Sequence, residues 1–339
     1  MWLLSLLLPN PVPHRKREFK KRDFFYLAAL LLFPLLWPDA HIHYLMTLAG
    51  IHAILALGLS FFIGYAGQVS LGHAAFFGTG AYATALFTTR LGLPVFAAFW
   101  VSGLAAAAVA FFVGRPILKL KGYFLAVATL GLGEIFLVFV KETPSLTNGV
   151  IGVFGVPWFS LAGFSFDTYL RQYYLIWGVL IGLLLFSKNL ARSRMGRAFL
   201  AVGASEDAAA SLGIDAAGVK LGAFVLGAVF AGFAGSLFVC VLSTANPESF
   251  GLNLSVQIVM MVILGGMANL YGPIAGAVLL TWLIDALGKY QEFSLPAYGL
   301  ILIFLLIFFP DGIGTRLGAR FVYLISYFPR KKRREEAEC

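Results

Sequence analysis

Ser205-Glu206-Asp207-Ala208-Ala209-Ala210-Ser211-Leu212-Gly213 lies inside a polar stretch, Lys188 to Lys220. On both sides of that stretch the chain is apolar in runs long enough to cross a bilayer. The nine residues read as a short helix. Ser205 is placed to cap it, Glu206 and Asp207 fall in the first turn where the helix dipole favours negative charge, and the alanines propagate it. Gly213 supplies the stop. A helix of about two turns is unstable alone in water, where the marginal length is roughly 12–15 residues. The block therefore needs something to dock against.

Composition sets the class. Sixty per cent hydrophobic residues, twelve per cent charged residues and 37 glycines are more apolar surface than one soluble core absorbs, so lipid must solvate much of it. Two cysteines, Cys240 and Cys339, cannot build a disulfide framework. Met1 to Leu8 are apolar but precede the basic cluster Arg15 to Arg22, the reverse of a secretory signal, so no cleaved leader is expected. The fold class expected is all-α, a polytopic membrane protein with about ten spans of near 20 residues. The spans are read at 24–38, 44–63, 70–89, 94–114, 123–140, 172–187, 219–243, 255–268, 272–288 and 296–310. The pieces at 255–268 and 272–288 are short and read as broken or re-entrant.

The +9 net charge is distributed for membrane orientation rather than for nucleic acid. One set of connections carries 21 of the Lys and Arg residues, while the other holds only Arg90, Lys141, Arg171 and Lys289. The positive-inside rule then puts both termini and the 188–220 loop in the cytoplasm. Residues 1–23 become a basic cytoplasmic segment, 24–310 the transmembrane body, and 311–339 a cytoplasmic tail. The five charges of Arg330 to Arg334 suit anionic lipid just inside the membrane. The largest external connection, Glu142 to Arg171, is rich in turn formers and reads as an ordered interfacial loop.

Chemistry-bearing motifs are sparse. No Gly-x-x-x-x-Gly-Lys-Ser/Thr loop is present, so ATP is not bound here by a Walker A site, and no His-Glu-x-x-His or Gly-x-Ser-x-Gly occurs. No enzyme, metal site or cofactor is expected of this chain. His41 and His43 form a pair with no Cys near them and Asp39 as the one neighbouring carboxylate, and interfacial histidines are the simpler reading. Two glycine-rich breaks interrupt the apolar pattern, Gly64 to Phe76 and Gly265 to Pro273. Such breaks allow unwinding where neighbours re-satisfy the backbone. Gln68, Ser70 and His73 cluster at the first, and with Thr129, Glu134 and Asn148 they are the candidate translocation-path residues. Glu134 is expected to be protonated, hydrogen-bonded or facing a wet cavity, and to orient helices rather than carry protons. Gly227, Ala231 and Gly235 form a small-residue stripe suited to helix packing.

Asp207-Ala208-Ala209-x-x-x-Gly213 resembles the Glu-Ala-Ala-x-x-x-Gly loop of ABC-importer permeases, with Asp207 in the acidic position. The run Gly64-Tyr65-Ala66-Gly67-Gln68-Val69-Ser70-Leu71-Gly72-His73-Ala74-Ala75-Phe76 is similar to the signature of their branched-chain amino-acid family. Gly122 to Glu134, Thr147-Asn148-Gly149, Ser193 to Ala198, and Leu264 to Met267 with Gly272-Pro273 match the M-type (LivM-like) pattern in order and spacing. The chain departs from it at Tyr123 and at Gly203-Ala204. The resemblance implies an ABC-importer permease architecture in a bacterial inner membrane. It also implies a second homologous permease, two cytoplasmic ATPases that hold the ATP and Mg, and an extracytoplasmic binding protein. Ser205, Glu206, Asp207, Ala208, Ala209 and Gly213 would couple to the ATPases. The same family carries urea, short-chain amide and aromatic-acid importers, and the residues leave the substrate open between these and a branched-chain amino acid. An ATP-independent secondary transporter is the reading from another class.

Overall fold

The computed structural model describes residues 39–288 except 162 and 268, together with Pro34 and Gly299. The spans expected at 24–38 and 296–310, the segment 1–23 and the tail 311–339 lie outside the described residues. Helices carry the described chain: α1 (Ala40–Ser60), α2 (His73–Thr89), α3 (Val95–Ile117), α4 (Tyr123–Glu142), the single turn α5 (Pro144–Thr147), α6 (Tyr169–Arg192), α7 (Arg194–Ala204), α8 (Glu206–Ser211), α9 (Ala216–Leu242), α10 (Leu252–Gly265) and α11 (Gly272–Gly288). Among the described residues six helical segments are long and apolar enough to cross a membrane, and α11 is a shorter apolar helix.

Successive long helices alternate in direction. Contacts at the two ends of the bundle fix this. Tyr65, at the close of α1, lies against Gly203 before α8, and Lys121 before α4 approaches Asp207. At the far end His41 meets Asp285, and the strand β1 (Val153–Phe154) pairs antiparallel with β4 (Thr244–Ala245), Val153 opposite Ala245. A second two-stranded ribbon, β2 (Ser160–Leu161) with β3 (Phe164–Ser165), completes the far-end loop. That ordered connection needs a backbone partner, and the end of α9 provides it.

The core centres on α9, which packs against α1, α2 and α3. Small residues make this possible. A Cβ on Gly235 would overlap the Phe77 carbonyl oxygen of α2, and one on Gly80 would overlap the Gly232 carbonyl oxygen. The stripe read from the sequence as packing does pack, and it serves several helices at once. Aromatic rings fill the wider gaps: Phe224 lies 5.1 Å from both Phe62 and Phe76, and Phe99 stacks on Phe233 at 4.6 Å. On the flank, the Trp177 indole of α6 donates to the Met46 carbonyl of α1 at 3.1 Å.

α10 and α11 form one tight antiparallel hairpin. A Cβ on Gly276 would strike the Met261 carbonyl oxygen, and Gly265 and Gly272 touch backbone to backbone. The 14 residues of α10 span only about 21 Å, and the 3₁₀ turn Pro247–Phe250 in front of it extends the apolar segment.

The first glycine-rich break is a real unwinding. α1 ends in a π turn, Phe61–Tyr65, with Ala66 N–H donating to the Phe61 carbonyl and Gln68 N–H to that of Phe62, each at 3.0 Å. Such turns recur at functional sites. The chain then runs non-helical to Gly72. The second break comes to meet it: a Cβ on Gly64 would overlap the Met267 carbonyl oxygen.

Candidate coupling site

α8 is built as the sequence predicts and is oriented by contacts the sequence does not display. Ser205 adopts extended geometry, and its Oγ accepts from the Ala208 N–H at 3.2 Å. At the other end Gly213 has φ +80, its N–H donates to the Ala210 carbonyl at 3.0 Å, and Ile214 N–H reaches the Ala209 carbonyl at 3.1 Å. This pair of bonds is a Schellman stop, which needs a left-handed residue at the glycine position. Flanking helices are capped alike: Ser193 Oγ accepts from Gly196 N–H before α7, and Asp215 Oδ1 from Gly218 N–H before α9.

The helix has two unlike faces. Ala209 is buried and Glu206 turns inward, whereas Asp207, Ala208, Ala210, Ser211 and Leu212 are exposed. The Asp207 side chain is 97% open, and its approach to Lys121 at 4.0 Å is too exposed to hold it. Leu212 is 80% exposed, an apolar side chain presented at the end of a short helix. The outer face is open.

The sequence reading gives Glu206 a helix-dipole interaction and a place among the ATPase-coupling residues; the structure adds two contacts within the chain. Glu206 Oε2 accepts from Lys220 Nζ at 2.9 Å, and its Oε1 from Gln68 Nε2 at 3.0 Å. The Lys220 side chain is 5% exposed and that of Glu206 21%, so water screens this pair poorly. Lys220 was missed as a site residue. Its signal was available, a lone cation in the apolar run Gly218-Val219-Lys220-Leu221, but in sequence it counted only toward orientation.

The candidate path residues separate. Gln68 belongs to the α8 contact just described. Thr129 is buried in α4; its Oγ1 accepts from the Leu71 N–H at 3.0 Å and donates to the Ala126 carbonyl, so it pins the unwound segment to α4. A Cβ on Gly72 would overlap the Thr129 carbonyl oxygen, which explains the glycine there. Ser70 and His73 are buried, and neither Ser70 Oγ nor His73 Nε2 has a hydrogen-bond partner among the described residues. His73 packs edge-on to Phe76 and beside Gly227. Asn148 sits at the far end in a left-handed turn closing α5, with Gly149 also left-handed. Thr147 Oγ1 donates to the Val140 carbonyl at 2.6 Å, so Thr147-Asn148-Gly149 folds the loop onto the end of α4.

Glu134 is exposed, midway along α4, on a face shared with Val127, Gly131, Ile135 and Val138. A Cβ on Gly131 would meet nothing within 4 Å. This carboxylate is thus not buried within the described chain. At the far end His41 Nε2 lies 3.2 Å from Asp285 Oδ2, so α11 brings a carboxylate to the His41 ring, while Asp39 Oδ1 accepts from the His41 backbone N–H at 3.0 Å. A cavity of about 250 Å³ opens among α1, α2, α9 and α10, lined by His52, Glu248, Ser249, Asn253 and Gln257 beside Phe77 and Phe238.

An alternating bundle of apolar helices, unwound at paired glycine breaks and presenting a capped helix on a polar loop, defines a membrane transport subunit. The family described as "Branched-chain amino acid transport system / permease component" matches residues 41–310, and the chain belongs to it. It is similar to the high-affinity branched-chain amino acid transport system permease protein LivM of Escherichia coli K12. The two are 33% identical over 314 residues, 85% of this chain and 74% of that relative. The LivM protein of Salmonella typhimurium is equally similar over the same shares. The LivH permease of Escherichia coli K12 is 25% identical over 293 residues, 79% of this chain and 92% of that protein. No solved structure matches.

Proposed function

We propose that this chain is an inner-membrane permease subunit of an ATP-binding-cassette importer for branched-chain amino acids. The observation that carries the proposal is α8: a six-residue helix, capped at both ends, with an open outer face. It is too short to be held by its own propensity. The ATPases, which bind the ATP and Mg, dock on Asp207, Ala208 and Leu212, and their closure moves α8 as a rigid body. The names of the LivM and LivH relatives support the substrate class and a pairing of two homologous permeases. The 21-to-4 charge asymmetry supports a cytoplasmic position for α8 and both termini, with the binding protein at the far end.

The path runs along the Glu134 face of α4. A carboxylate facing hydrocarbon is costly, so the reading requires a wet path or a partner helix there. Gln68, Ser70, His73 and Thr129 lie at or against the unwound segment between α1 and α2 and serve to hold it rather than to wall the path.

Reconstitution tests the reading. The chain, co-expressed with its cognate ATPases, second permease and binding protein, should drive ATP-dependent uptake of labelled leucine into proteoliposomes. Excess isoleucine or valine should compete, and urea should not. Uptake by this chain alone without ATP would replace the proposal with a secondary transporter.

A further inference from the structure

We propose that Gln68, Glu206 and Lys220 form an internal joint that transmits movement of α8 to the unwound segment between α1 and α2, with Glu206 as its positioning residue. The inference rests on the coupling reading of α8 and says how that movement enters the membrane.

Three observations carry it. Glu206 holds both neighbours at once, Lys220 Nζ at 2.9 Å and Gln68 Nε2 at 3.0 Å, so α8 is tied to the base of α9 and to the break. Beside this, the backbones touch directly. Gly67, at φ +66, lies so close to Gly203 that a Cβ on it would be 3.0 Å from the Gly203 carbonyl oxygen, and a Cβ on Gly203 would overlap the Tyr65 carbonyl oxygen. No compressible side chain stands between the end of α7 and the break, so displacement is passed on rather than absorbed. Finally, the unwound segment and the first turn of α2 that follows it are each held by a specific hydrogen bond. Leu71 N–H donates to Thr129 Oγ1 of α4, and Ala74 N–H to Ser255 Oγ of α10 at 3.2 Å. A shift of α8 therefore reaches α4, whose open face bears Glu134, and α10 together.

The charge pair gives the joint direction. An ion pair out of water is held firmly while both members are present and is strongly disfavoured when one is removed. Gln68 adds an amide that either donates or accepts. A reversed pair, lysine at 206 and glutamate at 220, preserves both contacts by rotation of that amide.

The test measures uptake of labelled leucine per ATP hydrolysed, in proteoliposomes of the full importer. Glu206→Gln and Gln68→Leu should each lower that ratio about tenfold. Glu206→Lys and Lys220→Glu alone should do at least as much, and the two combined should return to within about threefold of wild type. Gln68→Leu leaves the ion pair intact and serves if a charge variant fails to accumulate. A ratio within about twofold of wild type in Gln68→Leu overturns the joint, as does a fall in uptake matched by an equal fall in hydrolysis. Gly213→Val separates the two levels. If that variant is impaired while Gln68→Leu couples normally, the joint alone is wrong; if it transports normally, the coupling reading fails first.

Discussion

Gly213→Val is the sharpest test of α8, because the surroundings isolate one physical cause. Gly213 stands at φ +80, and a Cβ there would meet nothing within 4 Å. Any cost is therefore conformational and not steric crowding by neighbours. An L-residue in the left-handed region costs roughly 1–2 kcal/mol, and a β-branched side chain sits at the upper end. If the turn instead opens, the bonds from Gly213 and Ile214 to Ala210 and Ala209 are lost, at about 1 kcal/mol each. Either way the docking-competent form of α8 falls by roughly 5–30-fold. The spans draw their stability from lipid and from α9, so membrane abundance should stay near wild type. Co-purification of the ATPases and ATP-driven leucine uptake should both drop. Gly213→Asn is the control, since asparagine tolerates the left-handed region. It should retain most activity, with Gly213→Ala between. Equal activity of the Asn and Val variants would refute the argument, because bulk and polarity at an open position would then matter more than φ.

Gly235→Ala should destabilise the bundle itself by about 1–3 kcal/mol, since the new methyl meets the Phe77 backbone carbonyl, which cannot turn aside. A lower melting temperature in detergent checks this, and an unchanged one would contradict the α2–α9 packing. With the native cysteines replaced, an impermeant thiol reagent applied to intact cells should label Ser160→Cys and spare Ser205→Cys; the opposite pattern inverts the orientation read from the charges. Glu134→Gln should keep substantial leucine uptake with an unaltered pH profile, and a profile that flattens would make Glu134 a proton carrier.

Much of the molecule is legible in order along the chain. The apolar runs predict helices at 44–63, 94–114 and 219–243, and the structure has Ala40–Ser60, Val95–Ile117 and Ala216–Leu242. Capping, termination and dipole signs are local, which is why Ser205, Asp207 and Gly213 could be placed on α8 before any contact was known. The small-residue stripe of α9 was equally readable, because its spacing repeats within one helix.

Contacts between distant segments were not. Glu206 and Lys220 lie 14 residues apart and Glu206 and Gln68 lie 138 apart, so no periodicity links them. The same holds for Met267 over Gly64, for Ser255 under Ala74 and for Asp285 beside His41. A carboxylate in sequence shows its charge but not its neighbours. Only packing turned Glu206 inward onto a cation shielded from water, and left Glu134, expected to be protonated, hydrogen-bonded or facing a wet cavity, on an open face of α4. Sequence alone determined the membrane class, the helices and the short capped helix α8, since those follow from hydropathy and local backbone chemistry. Tertiary structure decided which residues of α8 stand open and which hold the chain together, since that depends on where helices remote in sequence come to lie.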